Sequence, residues 1–148
     1  MKGVRFQTQW AGQFGVAHEM TRRGYLVSFT MGNAPAVDIL CKSPNNTTFS
    51  LQVKSLKAKN YWIYQEKLLN PNPELYFVFA LVPSDTDQPP TYFVLNNGQF
   101  QRVVAEQKEI DKERVKKRGK PYASFSPGFS YLTLDKEEFR NNWGNLPK

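Results

Sequence analysis

Residues 32–54, GNAPAVDILCKSPNNTTFSLQVK, decide the fold that this sequence predicts. Residues 36–42 and 48–55 are rich in apolar and β-branched side chains, and both are bounded by turn-forming residues. The Pro-Asn-Asn at positions 44–46 is typical of the connection in a hairpin. The stretch therefore predicts two short strands joined by a polar turn.

Three polar side chains interrupt this hairpin. Asp38 lies in the first predicted strand, and Gln52 and Lys54 share one face of the second, because residues two apart in a strand point the same way. Mg²⁺ is held by one or two carboxylates with a further oxygen ligand, and an ammonium can offset the charge of a phosphate. We therefore interpret this sheet edge as a metal and phosphate site. The alternative is an Asp that ends a strand beside an ordinary amphipathic edge strand.

A helix is predicted before the hairpin, over residues 7–23, and it ends at Gly24. Its apolar stripe recurs at intervals of three and four, at Trp10, Phe14, Ala17 and Met20. Glu19 lies at the border of this stripe. If the helix packs across the sheet edge, Glu19 completes an acidic cluster with Asp38. The alternative for Glu19 is a solvated helix glutamate.

The remaining elements follow from periodicity and from turn residues. Further strands are predicted over residues 25–31, 74–82, 91–95 and 131–134. A charged helix is predicted near 98–118, a loop over 122–129 and a short last helix near 135–143, which Asp135 to Glu138 would cap. Residues 56–73 alternate cations, aromatics and prolines without a clear period.

Length and charge limit the class of protein. The 148 residues predict a single domain, 1–148, with a core that needs no disulfide, and the single Cys41 excludes an intramolecular one. The net charge of +7 favours a polyanionic partner, with nucleic acid before an anionic membrane surface. No signal peptide is recognisable and no run approaches the ~18 apolar residues of a membrane span, so we expect a cytoplasmic protein with no membrane partner.

Two groups of cations are candidates for nucleic-acid contact. Lys57 and Lys59 alternate with aromatic residues, and the charged helix ends in Lys116, Lys117 and Arg118. Charge runs of this kind are more often solvated faces.

The order of Glu19 on a helix, Asp38 in AVDIL and Gln52-Val53-Lys54 in LQVKS resembles the PD-(D/E)XK nuclease superfamily. That superfamily includes many restriction endonucleases and the archaeal Holliday-junction resolvases. The resemblance implies an α/β fold, a restriction-endonuclease-like mixed sheet flanked by helices in the order αβββαβ. It also implies DNA cleavage with Mg²⁺ or Mn²⁺, in which Glu19, Asp38, Gln52 and Lys54 are the catalytic residues. Asp38, Gln52 and Glu19 would hold the metal.

This chain departs from the family pattern at two places. Gln52 stands where most members have an acidic residue, although Mrr-like restriction enzymes are similar in their QxK step. No helix is evident in residues 56–73, where the common core has one. The function expected is thus a metal-dependent DNA endonuclease. The alternatives are a catalytically silent DNA-binding module with the same fold and a protein-interaction module. A homodimer is expected by analogy alone.

Overall fold

A computed structural model of the chain describes residues 2–123 and 126–148. The helices are α1 (Lys2–Thr21), α2 (Asn97–Arg118) and α3 (Tyr131–Leu134). The strands are β1 (Leu26–Phe29), β2 (Ile39–Lys42), β3 (Thr48–Leu56), β4 (Tyr61–Ile63), β5 (Leu75–Leu81), β6 (Thr91–Leu95) and β7 (Gly128–Ser130). Two 3₁₀ turns span Glu66–Leu69 and Trp143–Asn145. Of the predicted loop 122–129, residues 124 and 125 lie outside the described part. None of the described helices has the length and apolar character needed to cross a membrane.

Five strands form one mixed sheet in the order β1-β2-β3-β5-β6. β3 and β5 are parallel, and all other neighbours in this sheet are antiparallel. The connection between the parallel strands contains β4 and the first 3₁₀ turn, and β4 pairs with β7 in a separate two-stranded sheet. The α/β class with a mixed sheet flanked by helices is confirmed.

Each face of the sheet is covered by one long helix. Phe77 and Phe79 of β5 pack with Phe100 of α2, whose ring stacks on Phe77 with the centroids 3.9 Å apart. Val78, which points the other way, belongs to the cluster that contains Val16 of α1. β5 is therefore buried on both faces, as its continuous apolar run predicted.

α1 lies against the sheet through small residues. A Cβ atom added to Gly12 would meet Ser55 Oγ at 1.9 Å, and one added to Gly15 would meet the Tyr92 hydroxyl at 2.1 Å. This close approach turns the glycine-bearing side of the helix inward. The prediction that Phe14 lies on the buried stripe is therefore wrong, since its side chain is 57% exposed.

The turn before β2 is longer than the sequence predicted. Ala36 has a φ of 61°, which extended strands do not allow, and the strand begins at Ile39 instead of residue 36.

The C-terminal part differs most from the prediction. Tyr131 to Leu134 form the helical turn α3 and not a strand, because the Ser130 side chain accepts the Thr133 N–H at 3.3 Å and so caps the turn. The helix predicted near 135–143 is absent from the described chain. Residues 139–141 run beside β6 instead, where the Val94 N–H donates to the Phe139 carbonyl at 2.9 Å. The free edge of β6 thus binds a segment that could otherwise have been helical.

Candidate active site at the fork between β2 and β3

β2 and β3 separate after a short ladder. Their pairing ends at Ile39 opposite Leu51, whereas β3 continues to Leu56 beside β5. Beyond this point side chains, instead of β2, provide hydrogen-bond partners for the β3 backbone. The Val53 N–H donates to Asp38 Oδ2 at 2.8 Å, and Gln9 Nε2 of α1 donates to the Val53 carbonyl at 2.7 Å. We call the group Asp38, Gln52, Val53 and Lys54 the fork.

The Asp38 carboxylate is only half solvated. Burial raises its pKa, and the hydrogen bond from Val53 and the charge of Lys54 oppose that shift. While Oδ2 is held by Val53, Oδ1 has a longer contact, 3.5 Å from the Gln13 amide nitrogen. Asp38 therefore keeps one carboxylate oxygen that is weakly engaged.

Gln52 brings an unused acceptor to the fork. Its side chain is buried, with the residue 8% exposed, and its Oε1 atom has no hydrogen-bond partner in the described chain. Leaving a buried acceptor unpaired costs roughly 1–3 kcal/mol, so such atoms are rare in native proteins. Ile39 and Leu51 are the last pair of the β2–β3 ladder. Asp38 directly precedes Ile39 and Gln52 directly follows Leu51, so both residues lie just beyond the same end of the ladder. An incoming cation or donor would satisfy the Gln52 oxygen.

Lys54 shares the face of Gln52 and is half-buried. Burial lowers the pKa of its ammonium, and the charge of Asp38 opposes this shift. The two groups thus lie close enough to influence each other. Within the described residues, no carboxylate comes within 4.0 Å of the Lys54 nitrogen, which leaves the ammonium available to an external anion.

Glu19 does not join this group. Its carboxylate pairs with Arg23 and, at 3.5 Å, with Arg22, and the hydrogen bond from Arg23 is the main cause that lowers its pKa. The α1 residue that reaches Asp38 is Gln13, six positions earlier, or about 9 Å along the helix axis. The structure thus places Asp38, Gln52 and Lys54 where β2 and β3 separate, and it places Glu19 near the C-terminal end of α1, paired with arginines.

Gln9 and Gln13 are the site residues that the sequence reading missed. They lie four apart, and therefore on one face of α1, and Gln13 is buried at 8% exposure. Two amides at helical spacing near an otherwise apolar stripe were the only available signal. Such a pair is common on solvated helices, so the signal is weak.

The fork offers some, but not all, of the oxygen ligands that a small divalent cation needs. Among the residues that the structure describes, no group of three or more His, Cys, Asp and Glu side chains could hold a metal. Asp38 and Gln52 nevertheless supply one carboxylate and one unpaired amide oxygen, and Mg²⁺ commonly binds through one or two carboxylates while it keeps several waters. The unpaired Gln52 oxygen is the feature that such an ion would explain.

The predicted nucleic-acid residues have different surroundings. Lys57 and Lys59 are exposed directly after β3, and the Lys59 ammonium lies 5.1 Å from the centroid of the Tyr131 ring. The cations at 116–118 are exposed in the last turn of α2, where they also complement the helix dipole.

A groove of about 500 Å³ opens near the fork, between the turn before β2 and the segment before β5. Val37, Ser50, Lys67 and Asn72 are among its lining residues. Val37 directly precedes Asp38, and Ser50 lies on the face of β3 that carries Gln52, two residues away, but the four fork residues themselves do not line the groove.

Comparison of the chain with family models, with curated proteins and with solved structures gives no significant match.

Proposed function

We propose that this chain is a metal-dependent DNA endonuclease of the PD-(D/E)XK type, with the fork as its reaction centre. The unpaired Oε1 atom of the buried Gln52 is the observation that carries the proposal, together with the register that sets Gln52 across from Asp38 where the β2–β3 ladder ends. A buried acceptor without a donor is costly in a purely structural role but suits a residue that binds a cation. The net charge of +7 supports a polyanionic substrate.

In this proposal Asp38 and Gln52 would hold Mg²⁺ or Mn²⁺ through side-chain oxygen atoms. When bound, such an ion supplies an activated water and neutralises charge on the phosphate. The Val53 N–H orients the carboxylate by its hydrogen bond to Oδ2, while Oδ1 has only the 3.5 Å contact with Gln13.

Lys54 acts on the phosphodiester. Its ammonium has no carboxylate partner within 4.0 Å in the described chain, so it is free to contact a phosphate oxygen and offset charge that develops in the transition state. Burial lowers its pKa, which also makes it easier for the nitrogen to give up a proton to the leaving oxygen.

The test is cleavage of plasmid, branched and single-stranded DNA in Mg²⁺ and Mn²⁺ by the wild type and by two variants. We expect Asp38→Asn and Lys54→Ala each to lower the cleavage rate by about 100-fold or more, as the loss of a preorganised charged group does. Lys108→Ala, at an exposed position of α2, is the matched control and should cut at the wild-type rate. Absence of cleavage by the wild type, or undiminished cleavage by both fork variants, would contradict the proposal.

A second candidate is a DNA-binding module that retains this site without turnover. The single carboxylate at the fork favours it, because Glu19 is engaged by Arg22 and Arg23. This candidate predicts salt-sensitive DNA binding without metal. An inactive wild type, together with Mg²⁺-dependent cleavage by Gln52→Glu, would support this candidate. Absence of DNA binding at low salt would exclude it.

A further inference from the structure

Four aromatic side chains form a continuous cluster on α1 and β1. The rings of Trp10 and Phe14 are stacked with centroids 5.2 Å apart, and Phe6 meets Trp10 edge-on at 6.1 Å. Phe29 of β1 lies edge-on to Trp10 at 6.0 Å and to Phe14 at 5.5 Å. We call Phe6, Trp10, Phe14 and Phe29 the aromatic stripe.

The aromatic stripe is largely outside the core. Phe6 is 65% exposed and Phe14 is 57% exposed, and Met31, beyond the end of β1, is 66% exposed. Trp10 and Phe29 are half-buried beneath them. A contiguous exposed apolar patch of this kind marks a binding surface more often than a packing fault.

The aromatic stripe adjoins the fork. Gln13, which contacts Asp38, is three residues from Trp10, and side chains three apart are neighbours on a helix surface. Gln9, which holds the Val53 carbonyl, is likewise three residues from Phe6. The aromatic stripe therefore borders the part of the fork formed by Asp38 and Val53.

Charge selects the ligand class. Arg5, which directly precedes Phe6 on α1, is exposed, and residues 1–38 carry Lys and Arg at four positions, 2, 5, 22 and 23, against two carboxylates, Glu19 and Asp38. Glu19 is itself engaged by two of those arginines. Two copies that met through this surface would bring like charges together, whereas a polyanion would be attracted to it.

Exposed ring faces distinguish unpaired from paired nucleotides. In a duplex the base faces are covered by their neighbours, but unpaired bases can stack on aromatic side chains, and each such contact contributes roughly 1–3 kcal/mol. We propose that the aromatic stripe is a stacking surface for unpaired bases of single-stranded or branched DNA, which it holds beside the fork. This inference names the substrate class of the proposed nuclease and rests on that function.

The first test measures binding in EDTA, where cleavage is suppressed. Labelled oligodeoxythymidylate and a duplex of equal length are titrated with the wild type, with the double variant Phe6→Ala/Phe14→Ala and with Leu132→Ala. Leu132 is 78% exposed on α3, so it controls for the loss of exposed apolar surface elsewhere. We expect the double variant to bind the single strand about ten-fold more weakly or worse and the duplex within about two-fold of the wild type. Leu132→Ala should bind both like the wild type.

Equal weakening on both DNAs, or none on the single strand, would overturn the inference. Competition by polyglutamate as strong as by oligodeoxythymidylate would also overturn it, in favour of an acidic protein partner. A third outcome would also overturn it: the wild type self-associates, and the double variant is monomeric but binds the single strand with unchanged affinity. The aromatic stripe would then be an interface between copies of the chain.

Tryptophan fluorescence locates the bases. Trp62 and Trp143 are buried, at 1% and 7% exposure, so quenching by a bound base should arise from Trp10. We expect oligodeoxythymidylate, at concentrations that saturate each protein, to quench the wild type but not Trp10→Phe, which removes the fluorophore and keeps a ring at that position. Quenching that persists in Trp10→Phe would place the bases elsewhere. Neither readout depends on cleavage: an inactive fork with an intact aromatic stripe still passes both, and an active fork with no stacking fails both.

Discussion

Two buried glutamines lie in opposite situations. Gln107 of α2, 1% exposed, accepts hydrogen bonds from the Ser130 N–H at 3.1 Å and the Thr133 hydroxyl at 2.6 Å. Its amide nitrogen donates to Asp111 at 3.0 Å. Gln52 of β3, 8% exposed, leaves its Oε1 atom without a partner in the described chain.

The difference separates a structural amide from a candidate ligand. Gln107 joins α2 to β7 and α3, and its oxygen is saturated, so nothing remains for an external group. Gln52 has the opposite property and is followed two residues later by a lysine whose pKa burial lowers. Ser55 Oγ, Trp62 Nε1 and Asp111 Oδ2 are also unpaired in the described chain, but of these four atoms only Gln52 Oε1 belongs to the fork.

The largest effect on stability should come from Gln107. Gln107→Leu removes the acceptor of the partly buried Ser130 N–H and leaves the buried Thr133 hydroxyl only Ser130 Oγ, 3.1 Å away, so we expect the free energy of unfolding to fall by about 2 kcal/mol. Gln52→Leu should change it by less than about 1 kcal/mol, because the amide oxygen it removes is already unpaired. Urea denaturation of both variants measures the contrast. Similar losses of unfolding free energy in Gln107→Leu and Gln52→Leu would contradict the view that only Gln107 has a structural role.

Lys54 should control the ionisation of Asp38. Its charge is one of the influences that hold the Asp38 pKa down, so Lys54→Met should raise that pKa further. The carboxyl carbon chemical shift of Asp38, followed by NMR against pH, reports it. Lys57→Met, at an exposed position, should leave the titration unchanged. A fall in the Asp38 pKa in Lys54→Met would mean that the two groups are not coupled as described.

Stability should depend on pH through Asp38. Burial raises the pKa of this carboxyl above its ordinary value of 3.8, so the folded chain binds more protons than the unfolded chain between 3.8 and the raised pKa. The Asp38 contribution to the free energy of unfolding therefore falls as pH rises through that window. The free energy of unfolding of Asp38→Asn minus that of the wild type should therefore increase as pH rises through the same window. Urea denaturation of both proteins at several pH values measures this difference. A difference that shrinks with rising pH would contradict the sign.

Glu19 should give the smallest effect. Its pairs with Arg22 and Arg23 are near the surface, so Glu19→Gln should cost about 0.5 kcal/mol or less. DNA cleavage should stay within about two-fold of the wild type, because the Glu19 carboxylate is paired with Arg22 and Arg23. A large loss of cleavage would return Glu19 to the site that the sequence first assigned to it.

Local patterns predicted much of this fold. The apolar run of β5, the strand at 91–95 and the helix near 98–118 appear in the structure within a few residues of the prediction. The inward face of α1 was not predictable in the same way. Apolar spacing selected Phe14, whereas the close approach through Gly12 and Gly15 depends on the sheet surface that they meet.

Some features of the candidate site were likewise predictable from local sequence, and others depend on the assembled fold. Strand alternation correctly placed Gln52 and Lys54 on one face of β3. The position of Glu19 depended on where α1 crosses the sheet, which no local spacing encodes. The unpaired Gln52 oxygen is a property of the assembled fold, and so are the Gln9 and Gln13 contacts at the fork.

Binding of Mn²⁺ tests the central claim most directly. Titration of the DNA-free chain, followed by the Mn²⁺ EPR signal or by calorimetry, should show one site per chain that Asp38→Asn abolishes and Glu19→Gln preserves. Gln52→Glu should tighten binding, because a carboxylate replaces a neutral amide oxygen at the same position. Mn²⁺ binding that is unchanged in Asp38→Asn, or no binding by the wild type and by Gln52→Glu alike, would contradict the assignment of the fork as a metal site.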